Sequence, residues 1–447
     1  MRRLFQMPLN HLALALALGD FAVLWGAGES SSILWHRLHP EVANYASSWQ
    51  LPAFICLCLI SCGAMMVERF SARGQMLVRV LAGVSLGAVL VGIGHLILPI
   101  PLPPARLHVA TLLVAVPLLC LARLTALWLL DQPAFTRRLV VLGSDAAYAR
   151  VAGIVAQRPG WTLVGHLPTP SDQDYDSGYL LAALMPLAPE VLIFAHEHDD
   201  PLPIRTLVDL RRTGAQIWDI SRFIEQEIGR VDVHWLPAKE VFLAQLSSPE
   251  PAPAEAVRHL LDRCLALVLL IALSPLLAAV FLAIRMESAG PALFWQERVG
   301  QFGQRFRLVK LRSMMQHAEA DGQARWVEED DPRITRLGRF LRQFHIDELP
   351  QLWNILRGEM RFVGPRPERP EFVSQLEAEI PFYAVRHHLR PGITGWAQIN
   401  YPYAASLEDA RAKLEYDLFY IKHAHFLLDA FILLQTARVL LWRRGAR

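Results

Sequence analysis

Between Arg263 and Arg285 the chain runs from Cys264 to Ile284 without a charged side chain, and Ser274-Pro275 stands at the midpoint of that run. An apolar stretch of this length is long enough to enter a bilayer as a helix. Proline lacks an N–H and clashes with the preceding turn, so it bends or breaks a helix where it falls. Each half is about 10 residues, or ~15 Å of helix, which is about half of a ~30 Å hydrocarbon core. Arg258 and Arg263 precede the run and Arg285 follows it. Basic flanks on both sides suit two ends on one membrane face better than a crossing. The run therefore reads as a re-entrant hairpin over 260–284 that enters, turns at Ser274-Pro275 and returns, with a spanning helix that tolerates a kink as the alternative.

Four further apolar segments lie near the start: Leu9–Trp25, Leu51–Val67, Met76–Leu98 and Leu107–Leu130. They predict a four-helix transmembrane bundle over 1–135. Arg2 and Arg3, the pair Arg69 and Arg73, and Arg137 with Arg138 place both termini of that block in the cytoplasm by the positive-inside rule. Composition agrees, with 53% hydrophobic and 19% charged residues and a mean hydropathy of +0.26. Ordinary soluble domains have about 45–50% apolar and about 25% charged residues. The net charge of +2 is too small for bulk binding to nucleic acid. Cys56, Cys58, Cys62, Cys120 and Cys264 all lie in apolar runs and read as small buried hydrophobes. Of 44 cationic side chains only Lys239, Lys310, Lys413 and Lys422 are lysines, an arginine bias that a GC-rich genome explains as a total.

Residues 136–250 read as a soluble, Rossmann-like α/β domain. Arg138–Leu142, Trp161–Gly165 and Val191–Phe194 look like strands with helical pattern between them, which suggests a parallel sheet. The first turn has Gly143 alone, whereas a dinucleotide fingerprint needs three glycines. The domain is therefore expected to be non-catalytic. His196, His198 and Asp199 read as a polar loop rather than a metal cluster.

Past the hairpin, cationic groups recur beside proline and glycine turns around one adjacent acid pair. The order is Lys310-Leu311-Arg312-Ser313-Met314, Asp331-Pro332-Arg333, Arg342, Asp347-Glu348-Leu349-Pro350, Gly364-Pro365-Arg366-Pro367-Glu368 and Arg390-Pro391-Gly392. Arginines presented by rigid turns suit an anionic, phosphorylated substrate. An acid pair can supply a nucleophile for phosphoryl transfer and a ligand for Mg²⁺. On spacing alone, adjacent acids are also common on solvated helix faces.

The motifs K-L-R-S-M, D-P-R-I-T-R-L-G-R-F-L-R, D-E-L-P-Q-L-W-N, V-G-P-R-P-E and P-G-I-T-G-W-A-Q stand in one order from Lys310 to Gln398. In these the chain from Leu260 onward resembles the bacterial sugar transferases, the monotopic phosphoglycosyl transferases. The whole chain resembles their long form from exopolysaccharide biosynthesis. Its Asn400–Ala404 and Arg444–Arg447 segments are similar to the subgroup associated with exosortase-type loci.

The resemblance implies a mostly α monotopic catalytic domain over 251–447, in a multi-pass protein of the bacterial inner membrane, with that domain on the cytoplasmic face. It implies transfer of a sugar-1-phosphate from a UDP-sugar to undecaprenyl phosphate, with release of UMP. Asp347 would be the nucleophile and Glu348 the Mg²⁺ ligand. Arg342 would hold a phosphate, and Pro365, Arg366 and Pro367 would shape the nucleotide-sugar pocket. Lys310 and Arg312 would lie near the lipid phosphate, and Asp429 would match an acid of the C-terminal segment. Ser274-Pro275 matches the break in the family's re-entrant helix.

His345 stands where these transferases often carry serine, and reads as a packing or locally hydrogen-bonded residue before a proton carrier. The C-terminal run Phe426–Trp442 suits an interfacial helix, with a core helix as the alternative. Membrane lipid is an expected partner, and the four-helix block offers surface for a homodimer. A membrane phosphohydrolase acting on a nucleotide-sugar or lipid phosphate, and a non-catalytic membrane scaffold, are the competing functions. The sequence does not name the sugar.

Overall fold

The computed structural model describes 11–38, several positions of 80–87, and most of 105–195, 214–235 and 252–441, apart from 316–330 and 402–405. The second expected span, most of the third, His196, His198 and Trp442 lie outside the described residues. The chain forms two compact units, Met1–Gly229 and Arg230–Arg447.

In the first unit, α1 (His11–Leu38) and α2 (Ala105–Leu130) correspond to the first and fourth expected spans. Leu24, Ala27, Val80, Val84, Ala115 and Leu119 form their shared core. Leu18, Ile33, Leu113 and Leu121 point outward. Asp20 of α1 is buried and ion-paired with buried Arg123 of α2, so the acid that interrupts the first apolar run is neutralised between helices.

The same unit contains β1 (Arg137–Leu142), α3 (Asp145–Gln157), β2 (Trp161–Leu167), α4 (Ser177–Leu184), β3 (Val191–Phe194), β4 (Gln216–Asp219) and α5 (Ile220–Ile228). The sheet order is β2-β1-β3-β4 and every pair is parallel. A central parallel strand is covered on both faces, which is why Leu139–Leu142 is apolar without alternation and fully buried. Gly143 ends β1 where a Cβ would collide with Ala195 at the end of β3. The lone glycine is thus a packing requirement between strand ends.

The second unit opens with Arg230–Trp235, a stretch that the sequence reading gave to the middle domain. Val231 N–H donates to Glu415 O at 3.0 Å and Arg230 pairs with the Glu415 carboxylate at 3.4 Å. Next comes α6 (Ala252–Glu287), a single helix with Pro275 inside it. Among the described residues it contains the one helix, Pro253–Glu287, long and apolar enough to cross a membrane, with Val109–Thr125 a shorter apolar stretch. The expected turn at Ser274-Pro275 is therefore a proline inside a continuous helix, not a loop between two halves. Pro275 has no N–H for the Ile271 carbonyl four residues earlier, and the Ser274 hydroxyl donates to that oxygen at 2.8 Å. Serine before proline thus repairs the backbone vacancy that proline makes. Cys264 is exposed and Cys120 partly so, unlike the buried cysteines expected; on an apolar helix face such a side chain needs no packed neighbour.

β5 (Leu293–Val299) and β6 (Arg305–Leu311) pair antiparallel, a hairpin that the mostly helical expectation lacked. There follow α7 (Arg336–Gln343), a 3-10 turn (Ile346–Gln351), α8 (Leu352–Arg357) and β7 (Arg361–Val363). The unit closes with α9 (Pro370–Glu379), β8 (Gly392–Thr394), α10 (Trp396–Asn400), α11 (Leu407–His423) and α12 (Phe426–Leu441). β7 and β8 pair parallel over only three residues. A Cβ at Gly364, Gly392 or Gly395 would overlap facing backbone, so these motif glycines permit the close crossing. α12 buries Leu428, Asp429, Ile432 and Gln435 on one face, and Thr436 bonds Thr394 of β8 at 2.7 Å. That face belongs to the core of the second unit, while Phe426 and Leu433 stay outside.

Candidate active site

The acid pair is delivered by a tightly held turn. Thr335 caps α7 by accepting the Gly338 N–H at 2.9 Å, the arrangement that favours threonine at a helix start. α7 ends at Phe344, and His345 turns the chain with φ 54° and ψ 22°. That left-handed conformation costs a non-glycine residue on the order of 1 kcal/mol. Asp347 and Glu348 follow in the first turn of the 3-10 segment. Asn354, wholly buried, ties α8 to β6 by accepting the Val309 N–H at 3.2 Å and donating to Arg307 O at 2.8 Å. The asparagine ending D-E-L-P-Q-L-W-N thus holds the acid turn against β6.

Lys310, near the end of β6, donates to Glu348 Oε1 at 2.8 Å, and Arg366 donates to the same oxygen at 2.7 Å. The two acids consequently differ. Burial pushes the Glu348 carboxyl up, but Arg366 and Lys310 outweigh it and hold the group well below the carboxylate range. Asp347 is 7% exposed. Among the described residues its carboxylate accepts no hydrogen bond and forms no ion pair. Burial first, and the neighbouring Glu348 charge second, push it up to about 6, against Lys310, Arg342 and Arg366. Burial also lowers the Lys310 ammonium, with Glu348 opposing.

Arg342 faces both Asp347 and Asp331, with no side-chain hydrogen bond or ion pair among the described residues. Burial lowers the His345 imidazole, and among the described residues its buried Nδ1 has no hydrogen-bond partner.

The structure brings Asp347, Glu348, Lys310, Arg342 and Arg366 together, with Pro365 and Pro367 flanking Arg366. It does not bring Arg312 or Asp429 into that cluster. Arg312 is buried and donates to Ala289 O, Ser288 O and Ser288 Oγ, each at 2.8 Å. It satisfies carbonyls that the end of α6 leaves open. Asp429 is buried between Arg258, with which it pairs, Arg361 at 3.4 Å and the Tyr420 hydroxyl at 2.7 Å. With the Arg361–Asp262 pair at 2.8 Å, it fastens the start of α6 to β7, α11 and α12. These roles depend on partners far apart in sequence, so no local signal announces them.

The sequence leads to the expectation of Mg²⁺ at Glu348. Among the described residues no three His, Cys, Asp or Glu side chains assemble. Among the described residues, Glu348 Oε2 and the Asp347 carboxylate accept no hydrogen bond. Mg²⁺ is commonly held by one or two carboxylates together with phosphate oxygens and water. Glu348, with Oε2 unengaged among the described residues, fits that mode as a carboxylate donor.

Among the described residues the second unit thus holds a buried acid pair, one member clamped by two cations and the other without a hydrogen-bond partner, together with one long apolar helix. Residues 253–443 match the family described as bacterial sugar transferase. The chain is 42% identical to the UDP-N-acetylgalactosamine-undecaprenyl-phosphate N-acetylgalactosaminephosphotransferase of Aeromonas hydrophila, over 52% of this chain and 53% of that protein. It is 32% identical to the undecaprenyl-phosphate glucose phosphotransferase of Komagataeibacter xylinus, over 76% of this chain and 66% of that protein. It is 37% identical to the UDP-glucose:undecaprenyl-phosphate glucose-1-phosphate transferase of Caulobacter vibrioides, over 50% of this chain and 87% of that protein. The chain thus spans about half to two thirds of the first two relatives. This protein belongs to the bacterial sugar transferase family.

Proposed function

We propose that the protein transfers a sugar-1-phosphate from a UDP-sugar to undecaprenyl phosphate and releases UMP. The observation that carries this reading is the asymmetry of the acid pair. Glu348 is locked by Lys310 and Arg366, whereas Asp347 is buried with its lone pairs unengaged among the described residues.

The steps follow from those positions. An Asp347 carboxylate oxygen attacks the β-phosphorus, and the bond from that phosphorus to the bridging oxygen breaks. UMP leaves with the bridging oxygen, and the sugar phosphate stays on Asp347. A phosphate oxygen of the lipid then attacks the same phosphorus, which frees Asp347 and forms the lipid diphosphosugar. Arg342 and Lys310 bind phosphate oxygens, and Arg366 orients Glu348 and the donor. Mg²⁺, held by Glu348, would supply further neutralisation of the diphosphate.

On this reading the protein performs the first membrane step of exopolysaccharide synthesis. It sits as a multi-pass protein in the bacterial inner membrane with the acids on the cytoplasmic side. α6 lies in the bilayer as one helix bent at Ser274-Pro275, with the acid pair kept at the surface where lipid phosphate and soluble donor meet. The first four spans, a homodimer contact and a non-catalytic middle domain complete the proposal. The names of the relatives support the acceptor and the donor class.

Purified protein in lipid should release UMP from at least one of UDP-glucose, UDP-galactose or their N-acetylated forms when undecaprenyl phosphate is present. Asp347→Asn should reduce this to background. Lipid-independent release of phosphate or UMP at full turnover would favour a phosphohydrolase, and full activity in Asp347→Asn would remove the nucleophile assignment.

A further inference from the structure

Arg366 lies in an irregular segment, outside helix and strand, yet its side chain must reach Glu348 at 2.7 Å. Pro365 and Pro367 lack N–H groups, so this segment cannot be fixed by strand pairing through them. Its carbonyls are fixed instead. Pro365 O accepts from Gly392 N–H at 3.0 Å and Glu368 O from Val299 N–H at 3.0 Å. Between them, Arg366 O accepts from Arg386 Nη2 at 3.0 Å and Pro367 O from Arg298 Nη1 at 3.0 Å. Four consecutive carbonyls are thus held by donors from separate parts of the unit.

The two arginine donors are themselves oriented. Arg298, at the end of β5, donates twice to Gln296 Oε1, at 3.1 and 2.6 Å, and lies 3.6 Å from the Glu368 carboxylate. Arg386 is buried, donates to Asp417 of α11 at 2.8 and 3.1 Å and to the Tyr383 hydroxyl at 2.6 Å. A buried guanidinium so fully engaged has one low-energy position. Its remaining donation goes to the backbone of the one residue that clamps Glu348 from this side.

We propose that Arg298 and Arg386 are positioning residues: they hold the Pro365-Arg366-Pro367 carbonyls so that the Arg366 guanidinium stands on Glu348. Neither touches the acid pair. Their effect passes through the backbone of the turn. A misplacement of ~1 Å in such a group costs roughly 100-fold in rate, so the support matters as much as the arginine it supports. The kinetic consequence rests on the transferase reading; the mechanical claim does not.

The test uses full-length protein in lipid nanodiscs. Arg298 is the first target because its side chain is half-buried and its loss leaves no isolated charge in the core. Arg298→Met should lower kcat/KM for the UDP-sugar by roughly 10- to 100-fold, mainly through kcat, with the melting temperature nearly unchanged. Arg298→Lys, which keeps a donor for Pro367 O, should recover much of the loss. The double variant Arg386→Gln/Asp417→Asn removes the other support without stranding a buried charge, and should act in the same direction.

Hydrogen exchange gives a readout independent of activity. The Gly364 and Gly392 amides, bonded across the crossing to Thr394 O and Pro365 O, should exchange at least several-fold faster in Arg298→Met, with α11 unchanged. Wild-type exchange at both amides would overturn the inference. So would a loss of activity that merely tracks a fall in melting temperature and is not recovered by lysine. If the wild type turns over no UDP-sugar, the transferase reading fails, and the exchange measurement still decides whether the two arginines hold the turn.

Discussion

A carboxyl group that ionises inside protein without a donor raises the energy of the fold, and Asp347 is in that position. Its pKa is pushed up from 3.8 to about 6 by burial and by Glu348. The folded state therefore binds this proton more tightly than the unfolded chain does. The penalty is fully present above about 6 and vanishes below the unfolded value of 3.8. At 1.36 kcal/mol per unit it amounts to roughly 3 kcal/mol at neutral pH. Asp347→Asn should accordingly raise the melting temperature while abolishing turnover, which thermal unfolding and UMP release measure side by side.

Glu348→Gln should act in the opposite direction. It strips the counter-ion from Lys310 and Arg366 and should cost roughly 2 kcal/mol or more, seen as a lower melting temperature. On the proposed reaction Asp347 attacks as its anion, so kcat/KM should fall about tenfold per unit as pH drops through about 6. The adjacency of the two acids is visible in the sequence. Their asymmetry is not, because the clamping cations stand 38 and 18 residues away from Glu348.

At the scale of elements, α6 is held at both ends by groups that the sequence alone assigns elsewhere. Arg258 and Asp262 tie its start through Asp429 and Arg361, and Arg312 closes its end on Ser288 and Ala289. An arginine in a phosphate-binding motif reads as a ligand; only the fold reveals that its donors are already taken by carbonyls. Arg312→Met should lower the melting temperature by leaving those carbonyls buried and unpaired, a cost of about 1–3 kcal/mol. Arg312→Lys, with one point donor in place of a fork, should recover little.

The apolar run and Ser274-Pro275 were legible from composition and spacing. The continuity of the helix through them was not, since it depends on the Ser274 hydroxyl reaching Ile271 O. β7 and β8 also escaped, because three-residue strands carry too little periodicity and are specified instead by glycines that face each other across the crossing.

For the whole molecule, the apolar excess and the alternation of strands with helices located the membrane-like and α/β parts. Ordered motifs located the acid pair and the cations Lys310, Arg342 and Arg366 that gather around it. What composition could not convey is that Arg230–Trp235 packs as part of the second unit, held by Glu415 of α11. Val231, Val233 and Trp235 are buried there, yet the short stretch between strands and helix has no period of its own. The architecture gathers the acid pair, the Lys310 and Arg366 clamp and the open Arg342 within one unit that also carries α6. On the proposed reaction Asp347 becomes covalently loaded before any lipid arrives. Intact-mass measurement of the wild-type protein after incubation with a productive UDP-sugar, Mg²⁺ and no undecaprenyl phosphate tests it most directly. The account predicts a protein heavier by one sugar phosphate, with matching UMP release and no adduct in Asp347→Asn; an unmodified wild-type protein that releases UMP only when the lipid is present would contradict it.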